Sequence, residues 1–200
     1  MKVIETRLPG VLILEPRVFA DERGHFVETW REDRYATLGI GASFVQDNLS
    51  HSKRGVLRGL HYQEPMPQAK LITVLHGEAF DVAVDLRVGS PTFAEWVGVE
   101  LSAEKMRQLY IPEGFAHGFV VTSETALVSY KCTNLYAPEH EGSLLWKDPR
   151  VGIDWPITNP ILSAKDAQAP TINEIPDGRL PRWNPNVALP ALPGAARADR

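Results

Sequence analysis

Short runs of β-branched and aromatic residues, each closed by glycine, Ser-Pro or a polar turn, follow one another along most of this chain, and that punctuation constrains the fold more than any other feature. LITVLHG, EAFDVAVDLRVG and EWVGVELS succeed one another, and LYIPEGFAHGFVV and TALVSYKCT continue the pattern. Upstream, VLILEPRVFA and HFVETW read as short strands around the turn Ala20-Asp21-Glu22-Arg23-Gly24, and Arg31 to Leu38 reads as a short helix ended by Gly39. Many short strands at regular spacing predict a mostly β protein, a barrel or jelly roll.

One of these runs leaves two readings open. In EAFDVAVDLR the pleat sets Phe80, Val82, Val84 and Leu86 on one face against Asp81, Ala83, Asp85 and Arg87 on the other. Either the second face is wet, as in many antiparallel sheets, or it is a polar barrel interior lined by acids.

The 200 residues can bury a substantial core, and no long polar linker divides the first 170, so a single domain over residues 1–185 is expected. From about Gln168 the character changes, with six prolines between Pro170 and Pro193. The stretch TINEIPDGRLPRW can still pack on the barrel through Ile172, Ile175 and Trp183, whereas residues 186–200 are expected to be a disordered tail. No apolar stretch approaches the roughly 20 residues needed to cross a bilayer. The start, MKVIETRLPG, lacks the apolar core of a signal peptide, so the expected location is the cytoplasm, with no membrane partner. A formal charge of -4 argues against nucleic-acid binding. The lone cysteine, Cys132, excludes an intrachain disulfide and reads as a small buried residue.

Chemistry is most legible between Ser50 and Gln63, SHSKRGVLRGLHYQ. His61 is the only histidine here flanked by both a cation and a close-packing glycine, and imidazole suits proton transfer near neutral pH. In TALVSYKCT, period two puts Ala126, Val128, Tyr130 and Cys132 on one face, so the Tyr130 hydroxyl can point into a barrel with small neighbours. Taken alone, Tyr130 also fits an ordinary core, and Lys70, in PQAKLITV, reads as surface charge.

The segment RGLHYQ resembles the signature of the dTDP-4-dehydrorhamnose 3,5-epimerase family, and further matching segments run from about Pro16 to Asp166. That resemblance implies a cupin-type double-stranded β-helix, an isomerase of nucleotide sugars, no metal or other cofactor, a dTDP-sugar as substrate and a homodimer. It implies His61 as general base, Asp166 in LSAKD as the acid that fixes its tautomer with Asp81 in reserve, Lys70 as the cation facing the enolate oxygen, and Tyr130 in YKCTNLY as proton donor. Six residues on, Tyr136 takes the place of the aromatic that stacks on the nucleobase. Arg23 and Glu28 in ERGHFVE, Gln46 and Asn48 in FVQDNLS, Arg58, His117, Glu141 and Lys165 match substrate-contacting positions.

A strict pleat sets Arg58 and His61 on opposite faces, yet the resemblance brings both to the substrate; a bulge at Gly59, or placement of Arg58 on an adjacent surface or a partner chain, would resolve this. Three rivals stand beside the double epimerase. One is a 3-epimerase or ketoisomerase using nearly the same residues. Another is a metal-dependent cupin oxygenase or isomerase, with His61 and His117 joined by Glu28 or Glu141. The third is a sugar-nucleotide-binding module without catalysis.

Overall fold

The computed structural model describes residues 1–41, 43–187 and 189–190. In chain order its elements are β1 (Lys2–Glu5), β2 (Leu12–Glu15), β3 (Val18–Asp21), β4 (Gly24–Val27), α1 (Glu32–Ala36), β5 (Gln46–Lys53), β6 (Leu57–Gln63) and β7 (Lys70–His76). They continue with β8 (Glu78–Asp85), β9 (Trp96–Ser102), β10 (Gln108–Ile111), β11 (Phe115–Val121), β12 (Thr125–Cys132), β13 (Glu141–Ser143) and α2 (Ala164–Ala167). Pro16 interrupts the first strand run, because proline cannot donate to a ladder; β2 ends just before it and β3 starts afresh.

Two antiparallel sheets carry the fold, with orders β1-β2-β10-β7-β12-β5 and β13-β6-β11-β8-β9. Apart from β1-β2 and β8-β9, neighbours in these orders are not consecutive in sequence, as jelly-roll connections require. The sheets meet over a core drawn from both: Ile72, Val74, Leu109, Ile111, Ala126 and Val128 from one, and Ala79, Ala83, Val99, Leu101, Phe115, Phe119 and Val121 from the other.

The outer faces are covered as well. Leu60, Val82, Val84 and Ala116 bury their backs under the C-terminal stretch through Leu144, Val151, Ile172, Ile175 and Leu180. On the other side α1 lays Tyr35 over Leu12, Leu14, Leu71 and Tyr110. This settles the open question about β8. Neither face is wet, because the C-terminal wrap takes the apolar one, while Asp81 and Asp85 are both fully buried. Asp85 accepts from Arg87, Ser90 and Thr92 and so ties down the loop that follows. Trp183, expected to pack, is 37% exposed.

The hairpin of β3 and β4 stands apart as its own two-stranded sheet. Phe19 and Phe26 are 50% and 69% exposed, so this ribbon has no core beneath it in its own chain. At the C-terminus Leu189 lies against Gly10 and Pro190 is buried; Ala188 and residues 191–200, the greater part of the expected tail, fall outside the described residues. Among the described residues no helix is long and apolar enough to cross a membrane.

Candidate active site

The sheets part at one margin, where β12 and β5 end one sheet and β13 and β6 begin the other. Gln46, Asn48, His61, Gln63, Lys70, Tyr130, Tyr136 and Glu141 line the resulting cleft of about 270 Å³.

Its first requirement is met in β6. Arg58 pairs with Phe119 and His61 with His117, so β6 carries one more residue than β11 over this interval. The extra residue is accommodated at Gly59, whose φ of +108° belongs to the region that glycine favours. A Cβ there would come within 2.6 Å of the His117 carbonyl oxygen. The bulge turns Arg58 toward β5, where its Nε donates to Ser52 Oγ at 3.0 Å, but the side chain is exposed and does not line the cleft.

Asp166 arrives from the other end of the sequence. The chain around Ile161 is pinned beside the start of β6 by Ile161 N–H to Gly55 O at 2.8 Å and Leu57 N–H to Ile161 O at 3.0 Å. Ser163 then caps α2, its Oγ accepting from the Asp166 amide at 3.1 Å. The Asp166 carboxylate reaches His61 Nε2 at 2.7 Å. Burial works against this carboxylate, but hydrogen bonds from His61, Ser163 and the Gly59 amide outweigh it and hold the carboxyl below its usual range. An ionised Asp166 accepts a hydrogen bond from Nε2–H and leaves the Nδ1 lone pair as the base. Asp81, the reserve partner, bonds His117 Nε2 instead, with both oxygens at 3.0 Å.

Glu141 is the hub of the cleft mouth. It pairs with Lys165, accepts from the Tyr136 hydroxyl at 2.7 Å and stands 3.9 Å from His61 Nδ1. Burial raises its pKa, yet Lys165, Tyr136 and His61 bring it below the ordinary value. The Tyr136 ring is 52% exposed and open to a stacking partner.

Deeper in, Lys70 is 7% exposed, contrary to the surface reading of its sequence context. It faces inward beside Cys132, its cross-strand partner, and burial pushes its pKa down despite the fields of Cys132, Asp81 and Glu141. Tyr130 lies beside His117, ring centroids 6.1 Å apart. Burial, with Cys132 and Glu141 nearby, raises the Tyr130 phenol, so it keeps its proton at neutral pH.

Gln46 spends its Oε1 on the Tyr136 amide at 2.8 Å and donates to Asn48 at 3.0 Å; Asn48 in turn donates to Cys132 Sγ at 3.6 Å. Arg23 and Glu28 do not line the cleft of their own chain. Arg23 sits at the tip of the exposed hairpin paired with Asp21, and Glu28 pairs with Arg34 at 3.0 Å. Glu28 therefore does not join His61 and His117, whose Nε2 atoms address separate carboxylates, and no group of three or more ligating side chains suited to a metal occurs among the described residues. Gln63, absent from the expected set, lines the cleft with a buried amide; its place two residues after His61, on the same face of the strand, was the available signal.

This geometry agrees with what the chain resembles. The family profile for dTDP-4-dehydrorhamnose 3,5-epimerase matches residues 5–174. The enzyme of that name from Salmonella typhimurium is 57% identical over 177 residues, covering 87% of this chain and 97% of its own. The Legionella pneumophila dTDP-6-deoxy-D-glucose-3,5-epimerase, solved with dTDP-4-keto-L-rhamnose, is 52% identical with a TM-score of 0.89, covering 92% of this chain and 98% of that one. A 3′-monoepimerase from Streptomyces bikiniensis, solved with dTDP-quinovose, is 36% identical with a TM-score of 0.83, over 88% and 91% of the two chains. The fold is accordingly of the cupin jelly-roll type, and the chain belongs to the dTDP-4-dehydrorhamnose 3,5-epimerase family.

Proposed function

We propose that this protein epimerises C3 and C5 of dTDP-4-dehydro-6-deoxy-D-glucose, giving dTDP-4-dehydro-L-rhamnose. The observation that carries the reading is the His61–Asp166 pair, 2.7 Å apart, opening onto a cleft that also holds a buried lysine and a protonated tyrosine. A binding module has no use for that combination, whereas deprotonation next to a ketone needs all of it. His61 Nδ1 removes the proton α to the keto group; the electron pair moves onto the C4 oxygen, where the Lys70 ammonium stabilises the enolate. Tyr130 returns a proton from the opposite face, inverting the carbon. The imidazolium formed in the first half lies between two carboxylates, Asp166 and Glu141, which favours its charge. C3 and C5 react in separate events with the same groups. No redox or metal step is needed, since the ketone is already in the substrate.

In this reading the exposed Tyr136 stacks on thymine, and Lys165 and Arg58 are the cations that would meet the diphosphate. Arg23 fits this scheme if its hairpin reaches into the cleft of a second copy of the chain. The exposed Phe19 and Phe26 support that, as does β5, an unpaired sheet edge bearing the exposed Leu49. The proposal thus includes a cytoplasmic homodimer. Preference for two carbons over one rests on relatives at 52–57% identity being double epimerases, against 36% for the 3′-monoepimerase. Replacing Tyr130 by Phe tests the assignment of roles: dTDP is expected to bind as before while turnover falls at least about 100-fold, and unchanged turnover would remove Tyr130 from the scheme.

A further inference from the structure

Tyr136 belongs to the irregular stretch that follows β12 and precedes the 3-10 turn Pro138–His140, which leads into β13. A stacking platform on such a segment needs its backbone fixed, because an unrestrained loop loses binding energy to ordering. Gln46 accepts from the Tyr136 amide itself at 2.8 Å, and a second side chain, Gln63, holds the residues on both sides of it. Gln63 Oε1 accepts from the Ala137 amide at 2.9 Å, and Gln63 Nε2 donates to the Leu135 carbonyl at 3.1 Å. The same Nε2 donates to the Met66 carbonyl at 2.6 Å, in the loop leading to Lys70. Gln63 is 4% exposed, so these bonds face no competition from bulk water. It shares a strand and a face with His61. Further bonds join the same two segments: Gln68 Nε2 to Asn134 O at 2.8 Å and Asn134 Nδ2 to Pro67 O at 2.6 Å.

We propose that Gln63 is a positioning residue for the nucleobase subsite, setting the Tyr136 platform in register with the His61 strand through the backbone of Leu135 and Ala137. This rests on the reading of the protein as a dTDP-sugar epimerase with Tyr136 as the stacking residue. Only an amide fulfils the role, because the site demands an acceptor at one atom and a donor facing two carbonyls at the other. A methionine of similar length satisfies neither, and a glutamate satisfies only the first until it is protonated.

The test is a double-mutant cycle on dTDP affinity, measured by titration calorimetry with wild type, Gln63→Met, Tyr136→Ala and the double variant. Gln63→Met is expected to weaken dTDP binding about 10-fold and Tyr136→Ala by at least as much, the range of a lost base stack. The double variant is expected to bind no more weakly than Tyr136→Ala alone, and KM for the sugar nucleotide should rise by more than kcat falls. Strictly additive losses, or an unchanged affinity in Gln63→Met, would overturn the proposal. Should Gln63→Met fail to fold, Gln63→Glu decides: protonation restores one donor, so its affinity deficit relative to wild type is expected to shrink between about pH 8 and about pH 5.5, and a deficit independent of pH would count against the role. The broader reading fails separately: wild type that does not bind dTDP, or Tyr136→Ala that binds it unchanged, sinks the subsite itself and this role with it.

Discussion

Lys70 and Asp166 show how far single residues here are set by surroundings that lie elsewhere in the sequence. Burying an ammonium costs stability, and that cost, present at neutral pH, relaxes as pH rises through the lowered pKa of Lys70. Lys70→Met is therefore expected to abolish turnover yet raise stability by about 1–3 kcal/mol in urea denaturation. A variant less stable than wild type would show that the cation is structurally useful. The same depression predicts an alkaline limb of activity, set in below the usual lysine range as the charge facing the enolate is lost. Asp166→Asn should leave the fold intact but offer His61 an amide donor, favouring the tautomer with the proton on Nδ1. Turnover is then expected to drop about 10²–10⁴-fold, and retention of activity would place the base elsewhere. The type of residue at each of these positions was readable from the sequence. Burial was not: Lys70 follows two prolines and a glutamine in a stretch that looks solvated, and only the pairing of β7 with β12 turns it inward.

At the level of elements, the bulge in β6 is the device on which the site depends. The strand-rich runs from β7 to β12 and the inward face of β12 were legible, because period-two alternation and turn residues act locally, whereas the breaks at Pro16 and before Phe115 were read through as continuous runs. The two faces of β8 were not, because covering the apolar one falls to the C-terminal wrap some 60 residues or more beyond it. Nor does sequence fix which strand Gly59 opposes; the glycine invited a bulge, and the register with His117 locates it. Gly59→Ala combines a left-handed backbone with a Cβ 2.6 Å from a carbonyl oxygen. It is expected to cost about 2–4 kcal/mol in denaturant unfolding and to uncouple His61 from Asp166. Stability within about 0.5 kcal/mol of wild type would mean that the bulge tolerates a side chain.

Over the whole molecule, acid stability and assembly follow from where charges and apolar surfaces lie. Asp166, Glu141 and Asp85 are each opposed by burial and nonetheless held below their ordinary values by hydrogen-bonded partners. Groups depressed in the folded state contribute stability that is present above their unfolded pKa and is lost as pH falls through the folded one. Thermal unfolding is therefore expected at markedly lower temperature below about pH 4, and a flat profile there would contradict these assignments. The hairpin carrying Arg23 read as an ordinary turn in sequence; that it forms its own two-stranded sheet with two largely exposed phenylalanines is visible only in three dimensions. If it serves a second copy, mixing Arg23→Ala and His61→Ala chains should restore about one quarter of wild-type activity, since half the dimers then hold one intact site; no recovery would confine Arg23 to its own chain. The central claim, proton removal from both carbons by His61, is tested most directly by incubating the protein with dTDP-4-dehydro-6-deoxy-D-glucose in deuterated water and following the C3 and C5 proton signals by NMR. Loss of both signals with wild type and of neither with His61→Ala is the predicted result; exchange at C3 alone would make the protein a mono-epimerase, and undiminished exchange in His61→Ala would contradict the account.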